Sequence, residues 1–531
     1  MALDASIAEG TAITTAIKMH CRKDVYGCKR DWVRGIIYHG LSLFFDYRRK
    51  IMKDESLNKL AVKSGIFFVV CQMLIRGISF ATTPIYTRLL STEQFGQIRV
   101  YESWLQIAVP IMSLCLWRSV ERAKYDMREK FDSYTSAVQN LSYISIALMI
   151  GICLLFKPQI QKFCGMDDVM LYTAFGYIFS YTSVLYMNRR EKQSMRYKFA
   201  TIASILLVVP ATVISIGWLY IGNVRGEFDQ LVHYRILGFY IPQIIGGLII
   251  ALIMAVQGKK LFSREYWKYG LIYSIPLIPE VLSIQIMNQA DKIMIQNLVG
   301  EWETGIFAVG TTVSFIIWIL EDSVWSAWLP WFFEKISRGE SADVEKPWET
   351  VMQTFGMISW LVVMLTPEIV WILGGKKNMA AIWVIAPMVT GTLFRFYSYS
   401  YTAIQNYYKK TAQVALGTML AMVVNVILNY ICILQFGYQA AAYTTAISYA
   451  FLLVLQGWQE MKITGQRIIP LRITLKYAVI FFGLNLISMA AYKIPWYLRY
   501  LLILAGCGFA AKNILPQFLG ILKNIRTKKS K

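Results

Sequence analysis

The chain has 531 residues, is 56% hydrophobic and 14% aromatic, and carries a formal net charge of +22. The apolar share reflects lipid-facing helices, not an unusually large soluble core. A basic excess can serve phosphate backbones, but here it lies in alternate loops and the two tails, where membrane topology demands it, so no nucleic-acid partner is expected.

Residues 1–59 read as an N-terminal cytoplasmic extension of mixed charge. Their one apolar run, 35–45, is too short to cross a bilayer. Charged residues precede it and no clean small-residue cleavage site follows, which is unlike a secretory signal. Two readings stay open: an interfacial helix on the cytoplasmic face, or sequence upstream of a true start at Met52.

A bilayer-spanning helix needs about 20 apolar residues. Fourteen stretches qualify: 64–86, 98–117, 134–156, 168–187, 199–221, 236–256, 269–290, 305–328, 350–373, 380–400, 413–434, 439–458, 472–492 and 497–516. The expected fold is an all-α polytopic membrane protein of about 14 transmembrane helices.

The loops set its orientation, because lysine and arginine are retained on the cytoplasmic side. The loop after the second span holds Arg118, Arg122, Lys124, Arg128 and Lys130, and the one after the fourth holds Arg189, Arg190, Lys192, Arg196 and Lys198. The other even loops follow suit, while odd loops are sparser, with Lys157 and Lys162 or Arg225 and Arg235. Both termini are therefore expected in the cytoplasm, which an even span count also requires.

Cysteine and histidine exclude other chemistry. Cys71, Cys115, Cys153, Cys432 and Cys507 lie inside predicted spans, where cysteine behaves as a small apolar residue. Cys21 and Cys28 have no matching zinc ligands nearby, and His20, His39 and His233 form no cluster, so no metal site is expected. No GxxxxGK[ST] loop occurs, so the chain builds no ATPase and needs no cofactor of its own.

A weak repeat organises the spans. Arg88-Leu-Leu-Ser-Thr-Glu-Gln-Phe-Gly96 follows the first span and Asn297-Leu-Val-Gly-Glu-Trp-Glu-Thr-Gly305 follows the seventh, with two apolar residues, a small residue and a glycine at matching offsets and an acid one place apart. Two six-span lobes follow, 60–258 and 259–460, with spans thirteen and fourteen and a basic cytoplasmic tail over 461–531. Paired bundles around a midplane site are a common transporter plan.

Three motifs carry a family resemblance. Thr83-Pro-Ile-Tyr-Thr-Arg-Leu-Leu-Ser-Thr-Glu-Gln-Phe-Gly96 resembles the first-span exit of polysaccharide flippases in the multidrug/oligosaccharidyl-lipid/polysaccharide exporter superfamily. Tyr273-Ser-Ile-Pro-Leu-Ile-Pro279, with Asn288-Gln-Ala-Asp-Lys-Ile-Met-Ile295, is similar to that family's seventh span. Val424-Asn-Val-Ile-Leu-Asn-Tyr430, with Phe436-Gly-Tyr-Gln-Ala-Ala-Ala442, resembles its turn between spans eleven and twelve. The resemblance implies a flippase, not an enzyme, that moves undecaprenyl-diphosphate-linked oligosaccharide across the bacterial plasma membrane by alternating access. It also implies coupling to H+, Na+ or the membrane potential, and a polysaccharide polymerase and glycosyltransferases as partners.

Charged and polar residues within the spans can be weighed against that mechanism, since a charge in hydrocarbon normally faces protein or a water-filled cavity. Arg76 lies near the middle of span one, where its guanidinium either meets the carrier's diphosphate or pairs with Glu280. Arg88, at the exit of that span, is a second candidate for the diphosphate. Pro276 and Pro279 within one span mark a bend or hinge. Glu280, Glu321, Asp322, Asn288, Asn425 and Asn429 are cavity or coupling candidates. Glu321 and Asp322 sit nearer a span end, where ordinary solvation competes. Asn425 and Asn429 share one helical face, so packing hydrogen bonds explain them equally well. Arg88, Arg118, Lys292 and Arg395 are placed near span ends, from which they can snorkel. Asp291-Lys292, at the outer end of span seven, is expected to make an anchoring or lobe-contact pair, and Trp325, Trp328 and Trp331 to form an interfacial belt.

Competing readings are a cation-coupled multidrug exporter, which normally has twelve spans and acids in place of Arg76, and a lipid II flippase, whose basic second span has no counterpart here. A membrane glycosyltransferase needs a catalytic acid in a large outward loop, and the outward loops are short. A structural scaffold would leave buried charges without a use.

Overall fold

In hydrocarbon a backbone must satisfy its own polar groups, and a helix does this within one segment. The long apolar runs accordingly form helices, and no strand occurs among the residues described by this computed structural model, 77–520 apart from 79, 466 and 467. The extension, most of the first predicted span and Arg76 lie outside the described residues.

Helix α1 (80–89) leads directly into α2 (Thr92–Met112). The turn between them is a capping box: Ser91 Oγ accepts from the Gln94 N–H at 3.2 Å, and Gln94 Oε1 accepts from the Ser91 N–H at 3.0 Å. Beyond α2 the chain turns by 71° into a 3-10 turn, Leu116–Arg118, and α3 (Ser119–Asp126). The first half continues with α4 (Phe131–Leu155), the short α5 (Lys157–Cys164), α6 (Asp168–Gln193), α7 (Tyr197–Arg225) and α8 (Leu231–Gly258). Helix α8 is its centre and packs against α4, α6 and α7.

The seventh predicted span is divided. Helix α9 (Arg264–Ser274) ends in a 3-10 turn, Ile275–Leu277, and α10 (Ile278–Leu298) follows. Pro276 sits in that turn and Pro279 in the first turn of α10, where a missing N–H costs little. The two pieces have different neighbours. Helix α9 packs on α4 of the first half: Trp267 Nε1–H donates to the Ala137 carbonyl at 2.8 Å, Tyr269 donates to Asp126 at 2.6 Å, and Tyr266 packs edge-on to Tyr134. Helix α10 lies instead against α2 and α15.

The second half contains α11 (Glu301–Ser337), α12 (Glu345–Met364), α13 (Thr366–Gly374), α14 (Ile382–Tyr407), α15 (Thr411–Phe436), α16 (Ala440–Thr464), α17 (Leu471–Ser488) and α18 (Trp496–Asn513). At 37 residues α11 is about 55 Å long, well beyond the hydrocarbon thickness. Trp328, Trp348, Phe332, Phe355 and Phe396 form the aromatic core between α11, α12 and α14. Trp328 is thus packed inside the protein, not placed in an interfacial belt.

Nine helices among the described residues are long and apolar enough to cross a membrane, and eleven if each of two bent pairs is one span. The helices over the predicted fourth and fourteenth spans, α6 and α18, fall short of that measure. In α6 the cause is its many serines, threonines and tyrosines and its charged last turn.

Candidate functional site

The two halves meet along α2. Ser103 Oγ donates to Gln289 Oε1 on α10 at 3.0 Å, and Gln97 Nε2 donates to Glu301 at the start of α11 at 2.7 Å. Near the Ser91 end, Thr92 donates to Asn378 at 3.0 Å, while Thr87 Oγ1 and Lys377 Nζ donate to the Leu373 and Leu90 carbonyls, both at 2.5 Å. These bonds gather toward one end of the molecule, where α1, α2, α10, α11 and the segment after α13 converge.

Charge lies just inside that seam. Glu102 on α2 accepts from Arg99 at 2.8 Å and from Arg235 on α8 at 3.4 Å. The Arg235 guanidinium also lies over the rings of Tyr86 and Phe239. Lys292 on α10 donates to Gln289 at 2.7 Å, so Gln289 Oε1 serves both Lys292 and Ser103. Arg235 was expected in an outer loop, but α8 begins at Leu231, before the apolar window, and takes the arginine inside the bundle.

Asp291 does not pair with its neighbour Lys292. It is buried, and its two carboxylate oxygens accept from Asn429 Nδ2 at 2.6 Å and Thr445 Oγ1 at 2.7 Å. Asn429 in turn donates to Asn425 Oδ1 at 3.3 Å and accepts from Thr444. Asn288, one turn before Asp291, accepts from Tyr449 at 3.0 Å. The structure therefore collects Asn288, Asn425 and Asn429, all singled out in the sequence, around a carboxylate that had been given another partner.

The second buried acid is Glu321 of α11, fully enclosed and bonded to Arg395 of α14 at 3.2 Å. Trp318, Tyr399 and Tyr449 surround that guanidinium, with ring centroids at 5.1, 5.9 and 6.0 Å. Glu321 Oε1 and Arg395 Nε are buried without a hydrogen-bond partner among the described residues. Arg395 does not snorkel. Its helix runs on for twelve residues to Tyr407, about 18 Å past Arg395, where the predicted span stops at 400. Glu321 is likewise not solvated, whereas Asp322 is half-buried.

The remaining candidates are not drawn together. Glu280 is half-buried at the start of α10, and Arg88 is exposed at the end of α1. No group of three or more His, Cys, Asp or Glu residues placed to hold a metal ion occurs among the described residues.

Long apolar helices among the described residues, with buried charged and polar centres in each half, are those of a multi-pass membrane protein. The family described as polysaccharide biosynthesis protein matches residues 61–336, more than half of the chain, and the chain belongs to that family. An uncharacterised membrane protein of Haemophilus influenzae is 23% identical over 380 residues, covering 68% of this chain and 88% of the relative. A probable low-salt glycan biosynthesis flippase of Haloferax volcanii is 21% identical over 406 residues, covering 74% of this chain and 82% of the relative. Among solved structures, the lipid II flippase MurJ in an inward closed conformation superposes with a TM-score of 0.59 at 15% identity, over 88% of this chain and all of that one, a likeness of fold.

Proposed function

We propose that this protein is a flippase that moves undecaprenyl-diphosphate-linked oligosaccharide from the cytoplasmic to the outer leaflet of the plasma membrane for cell-surface polysaccharide assembly. Family membership supports the polysaccharide side of this reading. The observation that carries the mechanism is the hydrogen-bonded seam between α2 and the helices of the second half. Alternating access would part that seam, with Pro276 and Pro279 as the proposed joint. On the loop-charge reading, the closed end faces outward. The lobes are 60–258 and 259–460, with 461–531 appended.

Arg76 and Arg88 are the proposed contacts of the diphosphate, through paired guanidinium hydrogen bonds. The cluster of Asp291, Asn425, Asn429 and Thr445 is the proposed place of a coupling H+ or Na+, because it offers one carboxylate among neutral oxygen ligands inside the bundle. A polymerase and glycosyltransferases would act on either side of the translocation step.

Deletion of the gene in a polysaccharide-producing host tests the reading. Loss of surface polymer, with lipid-linked repeat units accumulating on the cytoplasmic leaflet, is expected. Intact polymer with new drug sensitivity would favour the multidrug exporter, and arrested cell-wall synthesis with accumulated lipid II would favour the lipid II flippase.

A further inference from the structure

Leu114 and Cys115 adopt left-handed backbone conformations in tandem, with φ of 53° and 49°. Side chains avoid this region, and such strain persists where the surroundings demand it, often at functional sites. Here the strained pair produces the 71° turn after α2 and brings Trp117 and Arg118 against α6.

The result is an unusual grouping of charge. Arg189 of α6 lies over the Trp117 ring at 4.7 Å from its centroid, and Arg118 lies over the same ring at 5.7 Å. Two guanidiniums share one indole, and Lys192 follows Arg189 by three residues on the same helical face. Glu121 pairs with Arg189. Arg118 has no acceptor among the described residues, and the buried Trp117 Nε1–H also lacks one there. Retaining positive charge at this end of the bundle would require only solvated side chains. It would not require two like charges held together on one ring beside a strained turn.

Neighbouring Arg190 shows the contrast. It is fully buried, bonded to Glu191 of its own helix at 2.6 Å, and its bond to Gln257 at 2.8 Å ties α6 to α8.

We propose that Trp117, Arg118 and Arg189 form a binding site for the phosphate headgroup of a membrane lipid, at the lysine- and arginine-rich end of the first half. Two guanidiniums match phosphate oxygens through charge-assisted bonds, and the Trp117 ring holds them side by side. Glu121 holds Arg189 in place until an anion takes over. If the flippase reading holds, the ligand is the carrier lipid on arrival. A bulk anionic lipid would use the same two guanidiniums.

Native mass spectrometry of the full-length protein tests the site, with undecaprenyl phosphate, phosphatidylglycerol and phosphatidylcholine offered as separate probes. The wild-type chain is expected to retain one or both anionic lipids in preference to phosphatidylcholine. Retention of undecaprenyl phosphate over phosphatidylglycerol assigns the site to the carrier, and equal retention assigns it to bulk anionic lipid. Arg118→Gln should weaken retention by about tenfold, the loss of one charge-assisted bond, and Arg118→Lys should recover part of it. Because Arg118 has no acceptor among the described residues, its variants should fold normally, as unchanged thermal unfolding would confirm. Equal retention of all three lipids by the wild type, or undiminished retention by Arg118→Gln, overturns the proposal. The assay includes no transport step, so it stands or falls separately from the flippase reading, which polymer export measures.

Discussion

Gly96 and Gly305 meet across α2 and α11 in a reciprocal contact. A side chain on Gly96 would stand 2.8 Å from the Gly305 nitrogen and run into the Glu301 carbonyl, while one on Gly305 would run into the Thr92 carbonyl. Gly96 and Gly305 occupy matching places in the two nine-residue repeats, as do Thr92 and Glu301, and both pairs are 209 residues apart. Each repeat thus touches in the other the counterpart of its own contact, as in a twofold interface. The repeat is weak in sequence and strong in space.

Closure at this point can be trapped. Gln97 and Glu301 are side-chain partners at 2.7 Å, so a Gln97→Cys/Glu301→Cys pair should form a disulfide under mild oxidation. Export should stop in the oxidised protein and return with reductant. Normal export by fully cross-linked protein would show that the seam never opens.

Bulk at the same contact should do the opposite. Gly96→Val cannot be accommodated without moving α2 from α11, at a cost of about 1–3 kcal/mol. Less disulfide should form when Gly96→Val is added to the cysteine pair. An unchanged cross-linking yield would show that the backbones have room to adjust.

Asp291→Asn keeps the shape of the cluster but removes its charge. Export driven by an imposed ion gradient should fall at least tenfold, with protein abundance unchanged, because Asn429 and Thr445 can still bond to the amide. Gradient-driven export at the wild-type rate would exclude Asp291 from coupling.

The Glu321–Arg395 pair should show strong thermodynamic coupling. Arg395→Met alone leaves an enclosed carboxylate unpaired and should destabilise the protein by about 3–5 kcal/mol. The double variant Glu321→Met/Arg395→Met should recover most of that in denaturant unfolding in detergent. Additive losses would mean that the pair is not an energetic unit.

Arg76 is tested by function. Arg76→Ala should abolish polymer export while the protein stays inserted, and Arg76→Lys should keep part of the activity, since charge survives without the forked geometry. Full export by Arg76→Ala would falsify a transport role, and rescue by adding Glu280→Ala would reduce Arg76 to a structural partner.

What was legible in the sequence followed from helical periodicity. Asn425 and Asn429 were placed together by their four-residue spacing, and the structure bonds them. What escaped depended on where helices end. Arg235 and Arg395 lie close to the edges of apolar windows, but their helices extend past those windows and enclose them. Asp291 and Lys292 are adjacent, yet consecutive residues on a helix face different directions. One turns to α15 and α16, the other to Gln289. Partners on separate spans, such as Glu321 and Arg395, leave no spacing to read.

The divided seventh span has a consequence for recombining the protein with its relatives. A graft joined in the loop at 259–263 would take α9 away from Ala137 and Asp126 and give it a foreign bed, however well each half was made. A graft joined at Pro276 would leave both sets of neighbours intact, although it cuts through the middle of a membrane crossing. In this protein the natural splice point lies within the bilayer, where a loop-based choice would never place it.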